Sequence, residues 1–310
     1  MQFSQSSVAF GRHESFHVRF CWLSKGYRRL RRDPGLVIDV DRGTVALGVG
    51  KNMVVSIRYW LRAARMISET GSEATELGRF LLDPQRGEDP FLEDEGTLWL
   101  LHWLIASNSA AATTIAWFFN KFHKPHFNQQ ELRAALGAYL KSSVVAHRRP
   151  AASTLRTDVS VLARMYARHR VQGSGPVEEM LDSPLAELGL IAETGKHSYH
   201  SAFMERRSLP CEILGFSLIE LLQRRGASNL PLEDLRQSSD DFVAPGTIFR
   251  LSEAGLMIKL EELARTYPKL FDLRETAGLR QLYLRQEVPA IEMLRAYYGK
   301  ASSLPTEAAA

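Results

Sequence analysis

Residues 47–68 read LGVGKNMVVSIRYWLRAARMIS, a glycine turn followed by a long amphipathic segment. Apolar side chains recur there at helical spacing, at Met53, Ile57, Trp60, Ala64 and Ile67. Four cations fall on the opposite face of that helix, namely Lys51, Arg58, Arg62 and Arg65. The pattern predicts a helix over residues 51–68. A short element at residues 44–47 before the turn would complete the spacing of a helix-turn-helix unit.

The segments on either side of this helix fit the same interpretation. Residues 16–32 carry apolar side chains at helical spacing and cations opposite them, which predicts a helix that ends before Pro34. Residues 69–73 suit a short wing. Residues 75–82 read TELGRFLL, which resembles the T-x-x-G-R helix entry that often follows the wing of winged-helix regulators. The N-terminal part is therefore expected to form a basic winged-helix-like module.

Further helices are predicted in the middle of the chain. Residues 97–106 and 113–122 read as largely buried helices that contain three tryptophans. Residues 128–142 and 153–170 read as two more helices, joined by His147-Arg-Arg-Pro. The last helix is a second candidate recognition helix. Its polar face presents Arg156, Ser160, Arg164 and Arg168.

The C-terminal part carries its own set of elements. Short hairpin arms are predicted at residues 188–191 and 199–203, and helices at residues 213–224 and 247–266. A hairpin over residues 271–284, turning at residues 275–278, follows them. This order is typical of a winged-helix module. We expect a mainly α fold with a multi-module winged-helix-like (helix-turn-helix) architecture and short β-hairpins.

Glycine, serine and proline cluster at residues 172–176, where the charge balance also changes sign. We therefore expect domain boundaries that separate four segments. These are a basic winged-helix-like module at 1–82, a helical module with a second helix-turn-helix-like unit at 83–172, an acidic winged-helix-like module at 173–300 and a flexible tail at 301–310.

Charge and composition restrict the classes of function. Of the 310 residues, residues 1–170 contain 24 Lys+Arg and 15 Asp+Glu, a net charge of +9, whereas residues 171–310 contain 15 and 20, a net charge of −5. The basic half suits a polyanion and the acidic half a protein partner. Two cysteines exclude a disulfide scaffold, and no apolar run is long enough for a membrane span, which excludes a transporter. We expect a cytoplasmic protein.

One motif suggests catalysis. Residues 13–17 read HESFH, an H-E-x-x-H match that on a helix would place His13 and His17 one turn apart for zinc, with Glu14 to activate water. No third histidine follows at the extended spacing. Residues 48–52 lack the register of a phosphate loop, and the acidic residues between 83 and 96 lack the spacing of a calcium loop. We therefore expect no catalytic residue, no metal and no cofactor.

Several motifs along the chain carry a family resemblance. They are F-x-R-H at 10–13 with Phe16 and Arg19, WL-x-KG at 22–26, LGVGKNM at 47–53 with Ile57, Arg58 and Trp60, EDPFLED at 88–94, GTLWLLHW at 96–103 and SPL-x-ELGLI at 183–191. In combination they resemble a bacterial family known as domain of unknown function 4007. Its shared start is R-H-x-x-F, so the resemblance implies that Glu14 and His17 are incidental.

The resemblance also implies a biological setting. Members of this family are typically met beside genes for PAPS-reductase-like sulfur-transfer enzymes and for ATPases of DNA phosphorothioation-type anti-phage systems. We therefore expect a DNA-binding accessory protein of a DNA-modification or antiviral defence complex. Double-stranded DNA, the sulfur-transfer enzyme and the ATPase are the expected partners. The candidate DNA contacts are Lys25, Arg28, Arg29, Arg32, Lys51, Asn52, Arg58, Arg62, Arg65, Arg156, Arg164 and Arg168.

Three alternatives remain open at this point. The protein could be a transcriptional regulator of the same operon. It could be a zinc-dependent hydrolase that uses residues 13–17. It could also be a structural subunit whose basic faces bind acidic protein partners.

Overall fold

A computed structural model describes residues 7–33, 35, 39–71, 73–168, 183–239, 242–276 and 278–299. These residues form two compact units, one of residues 7–118 and 122–202, the other of residues 119–121 and 203–299. The expected boundary at residues 172–176 and the expected tail lie outside the described residues. The predicted modules 1–82 and 83–172 both fall in the first unit.

The first unit is built mainly from helices. Its helices are α1 (Trp22–Arg32), α2 (Val40–Leu47), α3 (Lys51–Ala63), α4 (Glu76–Leu82), α5 (Glu95–Ala106), α6 (Thr113–Lys121), α7 (Gln129–Ser143) and α8 (Ala152–Tyr166). Three short strands, β1 (His126–Asn128), β2 (Ala192–Gly195) and β3 (Ser198–His200), form an antiparallel sheet in the order β1-β3-β2. The last turn of α6 is counted with the second unit.

The second unit combines five helices with a second small sheet. Its helices are α9 (Cys211–Arg225), α10 (Leu232–Arg236), α11 (Pro245–Ile248), α12 (Glu253–Thr266) and α13 (Ile291–Tyr297). The strands β4 (Asn229–Pro231), β5 (Phe271–Thr276) and β6 (Leu279–Leu284) are antiparallel in the order β4-β6-β5. The prediction of a mainly helical chain with short β-hairpins is confirmed. Among the described residues no helix is long and apolar enough to cross a membrane.

Helices α1 and α3 pack closely because α1 carries a glycine at their contact. A Cβ atom on Gly26 would lie 2.4 Å from Cγ2 of Ile57 and 3.0 Å from Cδ1 of Leu61. Ile57 and Leu61 are completely buried. The apolar face predicted for α3 therefore does form part of the core, and Gly26 sets the distance between the two helices.

The first helix starts later than its periodicity predicts. A helix over residues 16–32 was expected, but α1 begins at Trp22. Glu14, Ser15 and Cys21 have positive φ angles of 50°, 67° and 65°. Residues in this left-handed region cannot continue a right-handed helix, so the segment before Trp22 is a series of turns.

The helix predicted over residues 51–68 ends early, at Ala63. Arg65 has a φ angle of 57°, and the chain then folds back so that Thr75 Oγ1 donates to the carbonyl of Arg65 over 2.7 Å. Ile67 and Ala74 form a single antiparallel bridge. The wing expected at residues 69–73 is therefore only a tight loop, of which residue 72 lies outside the described residues.

The T-x-x-G-R motif is explained by contacts of its threonine and glycine. Thr75 caps α4 by accepting a hydrogen bond from the Gly78 amide over 2.9 Å. A Cβ atom on Gly78 would lie 2.0 Å from the Met66 carbonyl oxygen. Only glycine fits this close approach of α4 to the backbone that follows α3.

Two C-terminal expectations also need correction. Residues 188–191 are not a strand, because Leu188 is the last residue of the 3₁₀ turn Pro184–Leu188. Leu190 and Ile191, which follow it, are buried in the core. The hairpin comes after them and consists of β2 and β3. The single helix expected over residues 247–266 is divided into α11 and α12. Arg250, with a φ angle of 52°, breaks it, and Ser252 caps α12 by accepting from the Gly255 amide over 3.1 Å.

Candidate nucleic-acid interface

In the first unit, here called the basic unit, one stretch without an acidic residue includes most of α7, the turn after it and the start of α8. Residues 132–157 contain five Lys and Arg residues and no Asp or Glu. Four of them, all exposed, are here called the basic corner, Lys141, Arg148, Arg149 and Arg156. A helix, a short turn and a second helix that carries cations is the arrangement with which helix-turn-helix proteins contact the DNA backbone.

Hydrogen bonds hold this turn in one conformation. A capping box at Asn128 and Glu131 starts α7. At its other end, the Arg149 guanidinium donates to the carbonyls of Val144 and Lys141, both over 2.8 Å. These carbonyls lie at the C-terminus of α7, where a positive charge is favourable. The turn is therefore shaped before any ligand binds.

Helix α8 buries its one acidic side chain. Asp158 is 4% exposed, and its carboxylate accepts hydrogen bonds from the Gly11 amide, His13 Nε2 and Thr114 Oγ1 at 2.9, 3.0 and 2.9 Å. Because that charge is turned into the core, the exposed side of α8 carries Arg156 and no carboxylate. This side of the helix suits a polyanion.

The three α8 candidates from the sequence differ in exposure. Arg156 and Arg168 are exposed, and Arg168 lies just beyond the helix end. Arg164 is half-buried and donates to the Ser15 carbonyl over 2.7 Å. Burial, together with the charge of Arg19, lowers the pKa of Arg164. Arg170, where the helix was expected to end, lies outside the described residues.

On α1 the expected cationic face is largely present. Lys25, Arg29 and Arg32 are exposed at helical spacing. Arg28 is half-buried, and its guanidinium lies 5.0 Å from the centroid of the Phe91 ring, a cation–π contact. Three of the four α1 candidates are thus positioned to meet a ligand at the surface.

Of the five candidate DNA contacts on and after α3, two are exposed and three are half-buried or hydrogen-bonded within the protein. Lys51 and Asn52 are exposed in the first turn, although Lys51 forms a 2.6 Å ion pair with Asp41. Arg58 is half-buried, and burial and the nearby charge of Arg62 lower its pKa. Arg62 and Arg65 were expected on the solvent face of one helix. Instead Arg62 donates to the Thr70 carbonyl over 3.2 Å, and Arg65, beyond the helix end, donates to Ser107 Oγ over 2.8 Å.

The geometry that the zinc hypothesis requires is absent at residues 13–17, because they form turns rather than a helix. His13 is 5% exposed, stacks on Trp60 and accepts at Nδ1 from the Ser15 amide over 3.2 Å. With Nδ1 as acceptor, Nε2 carries the proton that it donates to Asp158. Among the described residues no group of three or more His, Cys, Asp or Glu side chains could hold a metal ion.

The acidic segment between α4 and α5 uses its carboxylates for turns and caps. Asp89 is 7% exposed and accepts from the amides of Glu93 and Asp94, each over 3.0 Å. Asp94 caps α5 by accepting from the Thr97 amide over 2.9 Å. Asp83 forms an ion pair with Arg31. These contacts account for the charge run as part of the fold.

Lys141, Arg148 and Arg149 were not singled out by periodicity, because Arg148 and Arg149 lie in a turn and the polar face of α7 was not compared with that of α8. The absence of Asp and Glu from residues 132–157 is the signal that could have found them. A net charge counted over half the chain conceals such a local run.

Comparison with solved structures gives two close matches along most of the chain. A crystal structure of magnesium ion-bound SspB is 29% identical, with a TM-score of 0.82, and the match covers 97% of this chain and 91% of that one. A second SspB crystal structure is 28% identical, with a TM-score of 0.81, covering 97% of this chain and 92% of that one.

No curated protein matches the sequence. The family resemblance, in contrast, extends over almost the whole chain. The model of one family, described as protein of unknown function (DUF4007), matches residues 10–298. The chain therefore belongs to the DUF4007 family.

Proposed function

We propose that the protein binds double-stranded DNA through its basic unit and acts as an accessory subunit of a DNA-modification or anti-phage defence complex of the phosphorothioation type. The basic corner carries this proposal, because a turn fixed by hydrogen bonds presents four exposed cations with no acidic residue in between. Phosphate neutralisation by such cations dominates non-specific DNA affinity.

The strand order supports a winged-helix interpretation of both units. In the first, α6, β1, α7, α8 and the β2–β3 hairpin follow one another, and β1 pairs with the last strand, β3. The second unit follows a similar order, α9, β4, α10, α11, α12 and the β5–β6 hairpin, with one additional helix, α11, and β4 pairs with β6. By this comparison α8 and α12 are the candidate recognition helices.

The two candidate recognition helices differ in surface chemistry. Whereas α8 exposes Arg156 and no acidic side chain, α12 exposes Glu253, Glu261 and Arg265 together with Ile258, which is 47% exposed. Leu279, in the hairpin of the same unit, is 65% exposed. Acidic side chains around an apolar one repel DNA but suit a basic protein surface. We therefore assign DNA binding to the first unit and protein docking to the second.

The phosphorothioation setting of the proposal rests on the family. The resemblance implies a sulfur-transfer enzyme and an ATPase as partners, and we propose that they dock on the acidic second unit. The SspB structures match 97% of this chain, so both units lie within the part of the chain that is shared.

A magnesium ion is bound in one of the SspB structures. In this chain the described residues contain no cluster of three carboxylate, histidine or cysteine ligands for a metal. The described residues therefore offer no three-ligand site for a metal, and no step of the proposal passes through the ion. DNA binding should be measured both with magnesium chloride and with EDTA, and the DNA examined for strand breaks on a denaturing gel.

The proposal is tested by fluorescence anisotropy with a labelled duplex of random sequence over a series of salt concentrations. The logarithm of affinity should fall linearly with the logarithm of salt concentration. The double variant Arg148→Gln, Arg156→Gln should lower the slope by about two, because each phosphate contact contributes about 0.9. Arg274→Gln, an exposed arginine of the second unit, is the matched control and should bind as wild type does.

Wild-type protein that fails to bind duplex DNA even at low salt would reject the DNA-binding function. Unchanged binding by the double variant would instead place the DNA contact outside the basic corner. Circular dichroism spectra of all variants must match the wild type for either conclusion.

A further inference from the structure

One short segment of the first unit contacts two arginines that are far apart in sequence. Arg19 precedes α1 and is only 9% exposed. Its guanidinium lies 5.5 Å from the centroid of the Phe16 ring and 5.2 Å from that of the Trp22 ring. Arg164, on α8, is held by its hydrogen bond to the Ser15 carbonyl. The short segment from Ser15 to Trp22 therefore positions both guanidinium groups.

Neither of these two charges is neutralised. Burial, and after it the charge of Arg19, lowers the pKa of Arg164. Within the described part of the chain, neither arginine forms an ion pair, and the buried Nε atom of each has no hydrogen-bond acceptor. Two like charges held together at low dielectric are unfavourable, and a buried N–H donor without an acceptor adds to that cost.

We propose that Arg19 and Arg164 form a binding site for a phosphate group, and that this group is a phosphodiester of the DNA backbone. One anion between the guanidinium groups removes their repulsion and supplies acceptors for both Nε–H groups. Planar guanidinium groups that are already oriented match the oxygens of a phosphate in bidentate fashion. The aromatic contacts of Arg19 and the backbone contact of Arg164 supply that orientation in advance.

Two neighbouring features favour an anion at this position. Helix α1 begins at Trp22, whose ring contacts Arg19, and it has neither a side-chain cap nor an acidic residue in its first turn. Its N-terminal dipole therefore adds positive potential near the pair. Arg164 also lies on the same helix as Arg156, eight residues or about 12 Å further along α8. The identification of the phosphate as DNA rests on the proposed function.

The first experiment tests the anion site without DNA. The midpoint of thermal unfolding of the full chain is measured in sodium chloride and in sodium phosphate at equal ionic strength and pH. Phosphate should raise the wild-type midpoint, because a ligand bound by the native state alone stabilises it. Arg164→Gln should lose this rise, whereas Arg274→Gln, the exposed control in the second unit, should keep it. Arg19→Lys, which retains the charge but not the planar fork, should reduce it.

The second experiment identifies the source of the phosphate. Arg164→Gln should lower the salt slope of duplex DNA binding by about one, the contribution of a single phosphate contact. The site is supported if Arg164→Gln reduces both the phosphate-induced rise in the unfolding midpoint and the salt slope of DNA binding, or the salt slope alone. If Arg164→Gln reduces only the phosphate-induced rise, the site binds free phosphate and its assignment to DNA is overturned. Variants equal to wild type in both experiments would overturn the site itself. Failure of wild type to bind DNA rejects the proposed function, and the thermal measurement still decides the anion site.

Discussion

Nε2 of His13 lies 3.0 Å from Oδ1 of Asp158 and joins the segment before α1 to the middle of α8. Both side chains are buried. Asp158 accepts two further hydrogen bonds, from the Gly11 amide and from Thr114 Oγ1. One carboxylate thus holds the N-terminal segment, α6 and α8 together. The H-E-x-x-H motif at residues 13–17 resembles a zinc site, but its first histidine has a structural role here.

We expect Asp158→Ala to destabilise the protein by about 3 kcal/mol. Three hydrogen-bond donors would lose their acceptor in a buried position, and unsatisfied buried groups cost about 1–3 kcal/mol each, partly relieved by water. Urea unfolding followed by circular dichroism measures the change. Arg156→Ala, at an exposed position of the same helix, is the control and should stay within about 0.5 kcal/mol of wild type.

We expect His13→Ala and His17→Ala to leave the zinc content of the purified protein unchanged. His13 is hydrogen-bonded through both ring nitrogens, which leaves neither lone pair directed at a metal. Elemental analysis by mass spectrometry of wild type and both variants provides the measurement. Stoichiometric zinc in the wild type that is lost in both variants would restore the hydrolase hypothesis.

We expect the effects of Gly26→Ala and Ile57→Ala on the free energy of unfolding to be non-additive. Ile57→Ala should cost about 2–5 kcal/mol as a core truncation, and Gly26→Ala about 1–3 kcal/mol because its Cβ atom would overlap Cγ2 of Ile57. In the double variant the overlapping atom is gone. The double variant should therefore lose less stability than the sum of the two, by about 1 kcal/mol or more. Simple additivity in urea unfolding would contradict direct contact between α1 and α3 at this point.

We expect one fast-reacting thiol in the native protein. Cys21 is exposed, whereas Cys211 is buried. Burial and the neighbouring Glu212 raise the pKa of the Cys211 thiol to about 12. Below that pH the folded protein keeps Cys211 as the unreactive thiol, and the thiolate is the nucleophile. Ellman's reagent near pH 8 should modify one thiol quickly in wild type and none quickly in Cys21→Ser, and unfolding in guanidinium should expose the second. Fast reaction of two thiols in the native protein would contradict the burial of Cys211.

Short motifs carried the family resemblance, and the structure explains one of their residues, because Gly26 fits between α1 and α3. It also explains the glycine of the T-x-x-G-R motif, since Gly78 packs on the Met66 carbonyl. Hydrophobic periodicity also located most helices and the hairpin of residues 271–284 correctly. Periodicity succeeds there because the apolar face of an element must be buried whatever it packs against.

Helix ends and the accessibility of cations were decided by contacts between distant residues. The contact of His13 with Asp158 spans 145 positions and coincides with turns where a helix was expected. Similarly, Arg65 leaves the helix because the chain folds back to Thr75. Periodicity placed Arg62 and Arg65 on a solvent face, but it carries no information about the carbonyl and hydroxyl oxygens that bind them.

The sequence by itself determined that the chain is mainly helical, that its basic residues lie in the first part and that it belongs to its family, because local spacing, composition and motifs contain that information. Only the tertiary structure decided which cations reach the surface and which meet one another. The pairing of Arg19 with Arg164 depends on α8 packing beside the turn before α1. That contact forms because α8 and the turn before α1 pack together in the folded protein. The spacing of residues within either segment contains no information about it.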